Sequence, residues 1–131
     1  MYATASHASY RESAILTAPP EQLVIMLYDG IHRFLLQAGT AMREGRAAEA
    51  GERLGRATAI IDELQCTLDL SVGVVAERLS GIYVFCRRHL AEGLCERAPE
   101  KLERVDALLR ELRDAWAQAA ASDPSQPVAA A

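Results

Sequence analysis

The sequence predicts an all-α protein, an antiparallel up-down-up-down four-helix bundle preceded by a short N-terminal arm. Three observations carry that prediction. Ala, Leu, Glu and Arg dominate the chain and aromatic residues make up only 5% of it, a composition of helix formers. Apolar residues recur at spacings of three and four through four separate stretches. The five prolines, Pro19, Pro20, Pro99, Pro124 and Pro127, can all lie outside helix interiors. With 131 residues and half of them apolar, one hydrophobic core is expected and a wholly disordered chain is excluded.

Residues 1–18 are mostly small and polar, with Tyr10, Ile15 and Leu16 set among them, and read as a flexible arm. The bundle is predicted over 19–121. A Pro-Pro pair opens the first helix, and Glu21 suits the positive end of its dipole. Leu23, Leu27, Ile31, Phe34, Ala38 and Ala41 form its stripe, widened by Val24, Leu35 and Met42, and Gly45 supplies the stop. A second helix over about 46–70 carries Leu54, Ala57, Ile61, Leu64 and Leu68, a heptad-like seam. Ser71 to Gly73 break the pattern, with Ser71 the candidate N-cap. The third helix runs to about Glu96 through Val75, Leu79, Ile82, Cys86 and Leu90. Pro99 opens the fourth, with Leu102, Val105, Leu109, Leu112, Trp116 and Ala119 in register and Trp116 expected mostly buried. Residues 122–131 have nothing to bury and read as a disordered tail. Helices of roughly 20–25 residues are about 30–37 Å long, and short connections make sequential ones antiparallel.

The net charge is −4, and thirteen of the fourteen basic residues are Arg, interspersed with acids rather than gathered into a stripe. No nucleic-acid partner is expected. The longest apolar run, Leu23 to Tyr28, is too short to enter a bilayer as a span, and the first residues lack the features of a secretory leader. Cys66, Cys86 and Cys95 are odd in number and lie within helical patterns, which points to reduced thiols in a cytoplasm.

A bundle can hold a metal or cofactor, but the ligand patterns are thin. A di-iron site needs two Glu-x-x-His pairs with further Glu ligands, and only Asp29-x-x-His32 approximates one. Cys86-x-x-His89 puts two soft ligands on adjacent turns without the second pair that zinc requires. Isolated His and Cys on a helix are more commonly packing or surface residues. Haem-attachment, P-loop and dinucleotide fingerprints are missing, as is a nucleophile elbow. No cofactor, no metal and no enzymatic activity are predicted.

What exceeds the needs of a core is apolar breadth. Ile25 and Leu36 stand on the otherwise polar side of the first helix, Ile60 beside the seam of the second, and Val84 beside that of the third. A core-facing helix needs about three apolar positions in seven, so the surplus points to grooves for a protein partner.

In order and spacing, a set of these residues resembles the flagellar export chaperones that escort flagellin, the FliS family. The likeness begins at Tyr10 and continues through Leu16-Thr17-Ala18, Pro20-Glu21-Gln22-Leu23 and Met26-Leu27-Tyr28-Asp29-Gly30. It resumes at Ala57, Ile60-Ile61-Asp62-Glu63-Leu64 and Leu68-Asp69, then Gly73, Ala76, Leu79, Tyr83, Arg88, Leu90 and Trp116. It covers roughly residues 10–116. Four positions depart from the family's pattern: Pro19 in place of a small polar cap, Val72 before Gly73 in place of Gly-Gly, and Leu94 and Ala98 in place of polar residues.

The resemblance implies a bacterial cytoplasmic chaperone that binds the C-terminal helical region of flagellin. It would prevent premature polymerisation and deliver its cargo to the cytoplasmic domain of the flagellar type III export gate. Flagellin contacts are expected in or beside grooves of the second and third helices, at Ile60, Leu64, Tyr83 and Leu90. Tyr10, Ile15 and Leu16 in the arm would cover the empty groove and dock to the gate. A weak homodimer is the expectation when cargo is absent. The competing readings are a generic structural or regulatory bundle that self-associates through its apolar face, and a metal or cofactor bundle.

Overall fold

A computed structural model describes residues 20–68, 71 and 73–122. Four helices account for nearly all of them: α1 Pro20–Arg43, α2 Ala47–Cys66, α3 Val74–Glu96 and α4 Pro99–Ser122. Each neighbours the next and α4 returns to α1, so α1 faces α3, and α2 faces α4, across the core. Helix α1 packs closely against both α2 and α4, while α3 is the more loosely attached helix.

The helix ends follow from local chemistry. Gly45 adopts φ +76°, and the Arg46 and Gly45 amides donate back to the Ala41 and Met42 carbonyls at 2.8 and 3.2 Å. That paired closure needs a left-handed residue, and glycine provides one without a Cβ clash. The same closure ends α3, where the Ala98 and Arg97 amides reach Gly93 and Leu94, but the left-handed residue is Arg97 at φ 53°. Helix α2 stops at Cys66, short of residue 70, because the Thr67 hydroxyl turns back onto the Leu64 carbonyl at 2.7 Å. Gly73, at φ +132°, rather than Ser71 is the residue that caps α3, its conformation being open only to a residue without Cβ.

The core gathers the predicted seams: Tyr28, Ile31, Phe34 and Ala38 from α1, Leu54, Ala57, Ile61 and Leu64 from α2, Leu79, Tyr83, Cys86 and Leu90 from α3, and Leu102, Val105 and Leu109 from α4. Burying each large apolar side chain stabilises the fold by about 1.5–3 kcal/mol. Two register points differ from expectation. Ala76 is buried where Val75, predicted in the seam, is 52% exposed, and Ala119, predicted at the end of the α4 stripe, is exposed. Trp116 packs partly buried against the cluster.

Charged pairs link α1 to α4 beside the core. Asp29 meets Arg113 at 2.9 Å, His32 meets Asp106 at 2.7 Å and Arg43 meets Glu103 at 2.6 Å. Acid and base change sides along this seam. Exposed pairs of this kind contribute little stability each.

Candidate binding groove

Helices α2 and α3 leave a groove of about 330 Å³ between them. Gly51, Leu54, Gly55, Thr58, Ala59 and Asp62 line it from α2, and Arg87, Ala91 and Leu94 from α3. The groove exists because α2 presents small residues there. A Cβ built on Gly51 or Gly55 would meet nothing within 4 Å. The Arg87 guanidinium donates to Asp62 across the groove at 2.8 Å, and the Gln65 amide donates to the Ser80 hydroxyl at 3.3 Å one turn further on. Leu94, one of the departures from the family pattern, stands 38% exposed at the lip and makes it more apolar. By contrast, the hollow over the ion-paired α1/α4 seam holds only about 90 Å³.

The residues expected to bind cargo lie behind this surface rather than on it. Leu64, Tyr83 and Leu90 are core residues, 4%, 2% and 1% exposed. Ile60 is partly buried and points toward α1, where its Cδ1 lies 3.2 Å from the position a Gly30 Cβ would take. Tyr10, Ile15 and Leu16 fall outside the described residues. Of the surplus apolar residues, Leu36 and Val84 are exposed and Ile25 is partly buried.

The groove's chief lining residues are small and leave no mark in a pattern of large apolar side chains. Ala47, Gly51, Gly55 and Ala59, four residues apart, were the available signal.

The core carries little reactive chemistry. Burial raises Tyr28 and Tyr83 above the usual phenol range and pushes the Cys86 thiol up to about 11. All three are therefore neutral near pH 7. The sequence-level ligand pairs diverge: Asp29 turns to Arg113, His32 to Asp106, Cys86 into the core, and His89 stacks on Phe85 at 5.2 Å between ring centres. Among the described residues no three His, Cys, Asp or Glu side chains converge as metal ligands. No described helix is long and apolar enough to cross a membrane.

The groove is open and lined largely by small and apolar residues, and comparison with known proteins identifies the family. The family profile described as "Flagellar protein FliS" matches residues 2–123. The flagellar secretion chaperone FliS of Salmonella typhimurium is 35% identical over 109 residues, covering 82% of this chain and 81% of that protein. The namesake of Vibrio cholerae is 32% identical over 108 residues, 82% and 79% of the two chains. That of Bacillus subtilis is 29% identical over 117 residues, 89% and 87%. A match over nearly the whole length, on a four-helix framework, shows that the chain belongs to the FliS family of flagellar proteins.

Proposed function

We propose that this chain is a flagellar secretion chaperone whose α2/α3 groove receives the helical C-terminal segment of flagellin in the bacterial cytoplasm. The open groove over Gly51 and Gly55 is the observation that carries the reading. A helix can approach that floor closely, setting large apolar side chains over glycines and against Leu54 and Leu94. Leu64, Tyr83 and Leu90 act from beneath, by holding α2 and α3 at the separation the cargo helix needs, and Ile60 backs α2 from its α1 side. Covering the apolar face of the flagellin segment keeps it from polymerising. Ordering that segment on binding costs free energy, so affinity stays moderate despite a large contact, which suits a cargo that must be released.

Delivery to the cytoplasmic domain of the export gate completes the proposal, with Tyr10, Ile15 and Leu16 in the arm as the contact. The likeness to the family at Tyr10 and Leu16-Thr17-Ala18 supports that assignment. The free protein associates weakly with itself through the same apolar surface.

Titration calorimetry with a flagellin C-terminal peptide tests the groove. Gly55→Leu should weaken binding at least tenfold, about 1.4 kcal/mol, while helicity and melting are kept. Binding by the variant as tight as wild type would place the cargo elsewhere.

A further inference from the structure

We propose that the face formed by α1 and α2 is a second docking surface, built for an acidic helical segment of a partner protein. It lies on the other side of α2 from the groove. Gly51, Thr58 and Asp62 line the groove shared with α3, whereas Ile60 packs on Gly30 of α1 and Arg56 reaches Phe34 of α1.

Two guanidiniums converge at the centre of this face. Arg33 from α1 and Arg56 from α2 stand 5.5 and 5.9 Å from the centre of the Phe34 ring. The ring offsets part of the repulsion between them. Arg56 also pairs with Glu52 at 3.2 Å, but Arg33 has no carboxylate partner among the described residues. Arg53, one turn before Arg56, has none either, and its Nε is withdrawn from solvent without an acceptor. Beside these arginines lies a hollow of about 220 Å³, lined by Leu36, Gln37 and Thr40 of α1, by Arg46 just before α2 and by Glu49 in its first turn. Arg46 is already neutralised by Glu44 and Glu49. Leu36 stands 55% exposed at the rim.

A chain of net charge −4 thus carries a local face with uncompensated positive charge, a hollow sized for an aliphatic side chain, and an exposed leucine. The complement is an amphipathic helix with two carboxylates four residues apart and a leucine on the adjoining turn. Carboxylates at i and i+4 spring from Cβ atoms roughly 5–6 Å apart, a separation that lets each reach one of two guanidiniums sharing a ring. Planar guanidinium forks match carboxylates with two hydrogen bonds each. A continuous phosphate backbone fits less well, because it brings no aliphatic side chain for the hollow.

The test uses the full-length chain and a labelled 20-residue synthetic helix with Glu at i and i+4 and Leu one turn on, beside its Glu→Gln counterpart. Wild type should bind the acidic helix and bind the neutral one at least tenfold more weakly. Arg33→Ser with Arg56→Ser should lower affinity for the acidic helix at least tenfold and change affinity for a flagellin C-terminal peptide less than twofold. Arg33→Glu alone, at an exposed position away from the core, should do the same with an unchanged melting curve. Failure of wild type to bind the acidic helix, equal binding of the two helices, or variants that bind as wild type does each overturns the proposal. So does tighter binding to duplex DNA or to phosphatidylglycerol vesicles than to the acidic helix.

Discussion

The hydroxyl oxygens of Tyr28 and Tyr83, 55 residues apart in sequence, meet at 2.5 Å across the diagonal from α1 to α3. It is a polar contact between diagonal helices in an otherwise apolar core. Deleting one member of a buried pair strands the other at a cost of about 1–3 kcal/mol, whereas deleting both can be nearly neutral. Tyr28→Phe and Tyr83→Phe should each cost in that range, because each strands the other hydroxyl. The double Phe variant should cost well below the sum of the singles. Urea melts of the four proteins check this, and strict additivity would contradict it.

Alkali should unfold the protein through these same groups. Burial raises Cys86, Tyr28 and Tyr83 in the folded state above their ordinary values of 9.0 and 10.0. A group whose folded pKa is raised contributes stability that is complete below its unfolded pKa and is lost as pH rises above it. The melting temperature should therefore hold to about pH 9 and then fall, first through Cys86 and then through the tyrosines. The double Phe variant should fall less steeply above about pH 10. A wild-type melting temperature that stays level to about pH 11 would rule this out.

Arg97 holds the left-handed corner between α3 and α4 that Gly45 holds between α1 and α2. A residue with a Cβ is strained there by about 1–2 kcal/mol. Part of that gain is lost to the greater freedom of glycine in the unfolded chain. Arg97→Gly should stabilise the protein by about 0.5–1 kcal/mol in denaturant melts, and Gly45→Ala should destabilise it by a similar amount.

The arm and the bundle should separate in function. Removing residues 1–15 is expected to leave the bundle folded, raise self-association, and keep affinity for a flagellin C-terminal peptide within tenfold, about 1.4 kcal/mol. Docking an arm of about ten residues gains little net free energy, since ordering costs roughly 1–2 kcal/mol per residue. Tyr10→Ala should spare the peptide and weaken binding to the export gate's cytoplasmic domain. Calorimetry with the two ligands reads both halves, and loss of peptide affinity beyond tenfold on truncation makes the arm part of the cargo site.

The sequence made the bundle legible where large apolar side chains repeat. Leu54, Ala57, Ile61 and Leu64 are all buried in the predicted order, as are Leu79, Cys86 and Leu90, and Leu102, Val105 and Leu109. Pro20, Pro99 and Gly45 mark helix ends as read. Where α2 ends and α3 begins depended on a Thr67 hydroxyl and a Gly73 torsion, which periodicity does not encode. The same signal that found the core also picked out Leu64, Tyr83 and Leu90, which the structure buries beneath the groove. Leu64, Tyr83 and Leu90 stand out in sequence because they are large, and large residues on a seam are the first to be buried. A groove is made by what is missing from a helix face, so Gly51, Gly55 and Ala59 leave almost no trace in a hydrophobic pattern.

The loose attachment of α3 bears on timing. Opening free energies within a protein scale with how much packing an element must give up. Amide protons of α3 should therefore exchange with solvent before those of α1, through partial openings that leave the α1, α2 and α4 framework intact. Because α3 is also one wall of the groove, each such opening widens the entrance without unfolding the whole. For a segment held in the groove as proposed, each such opening would loosen its seat, so stiffening α3 should slow release and handover.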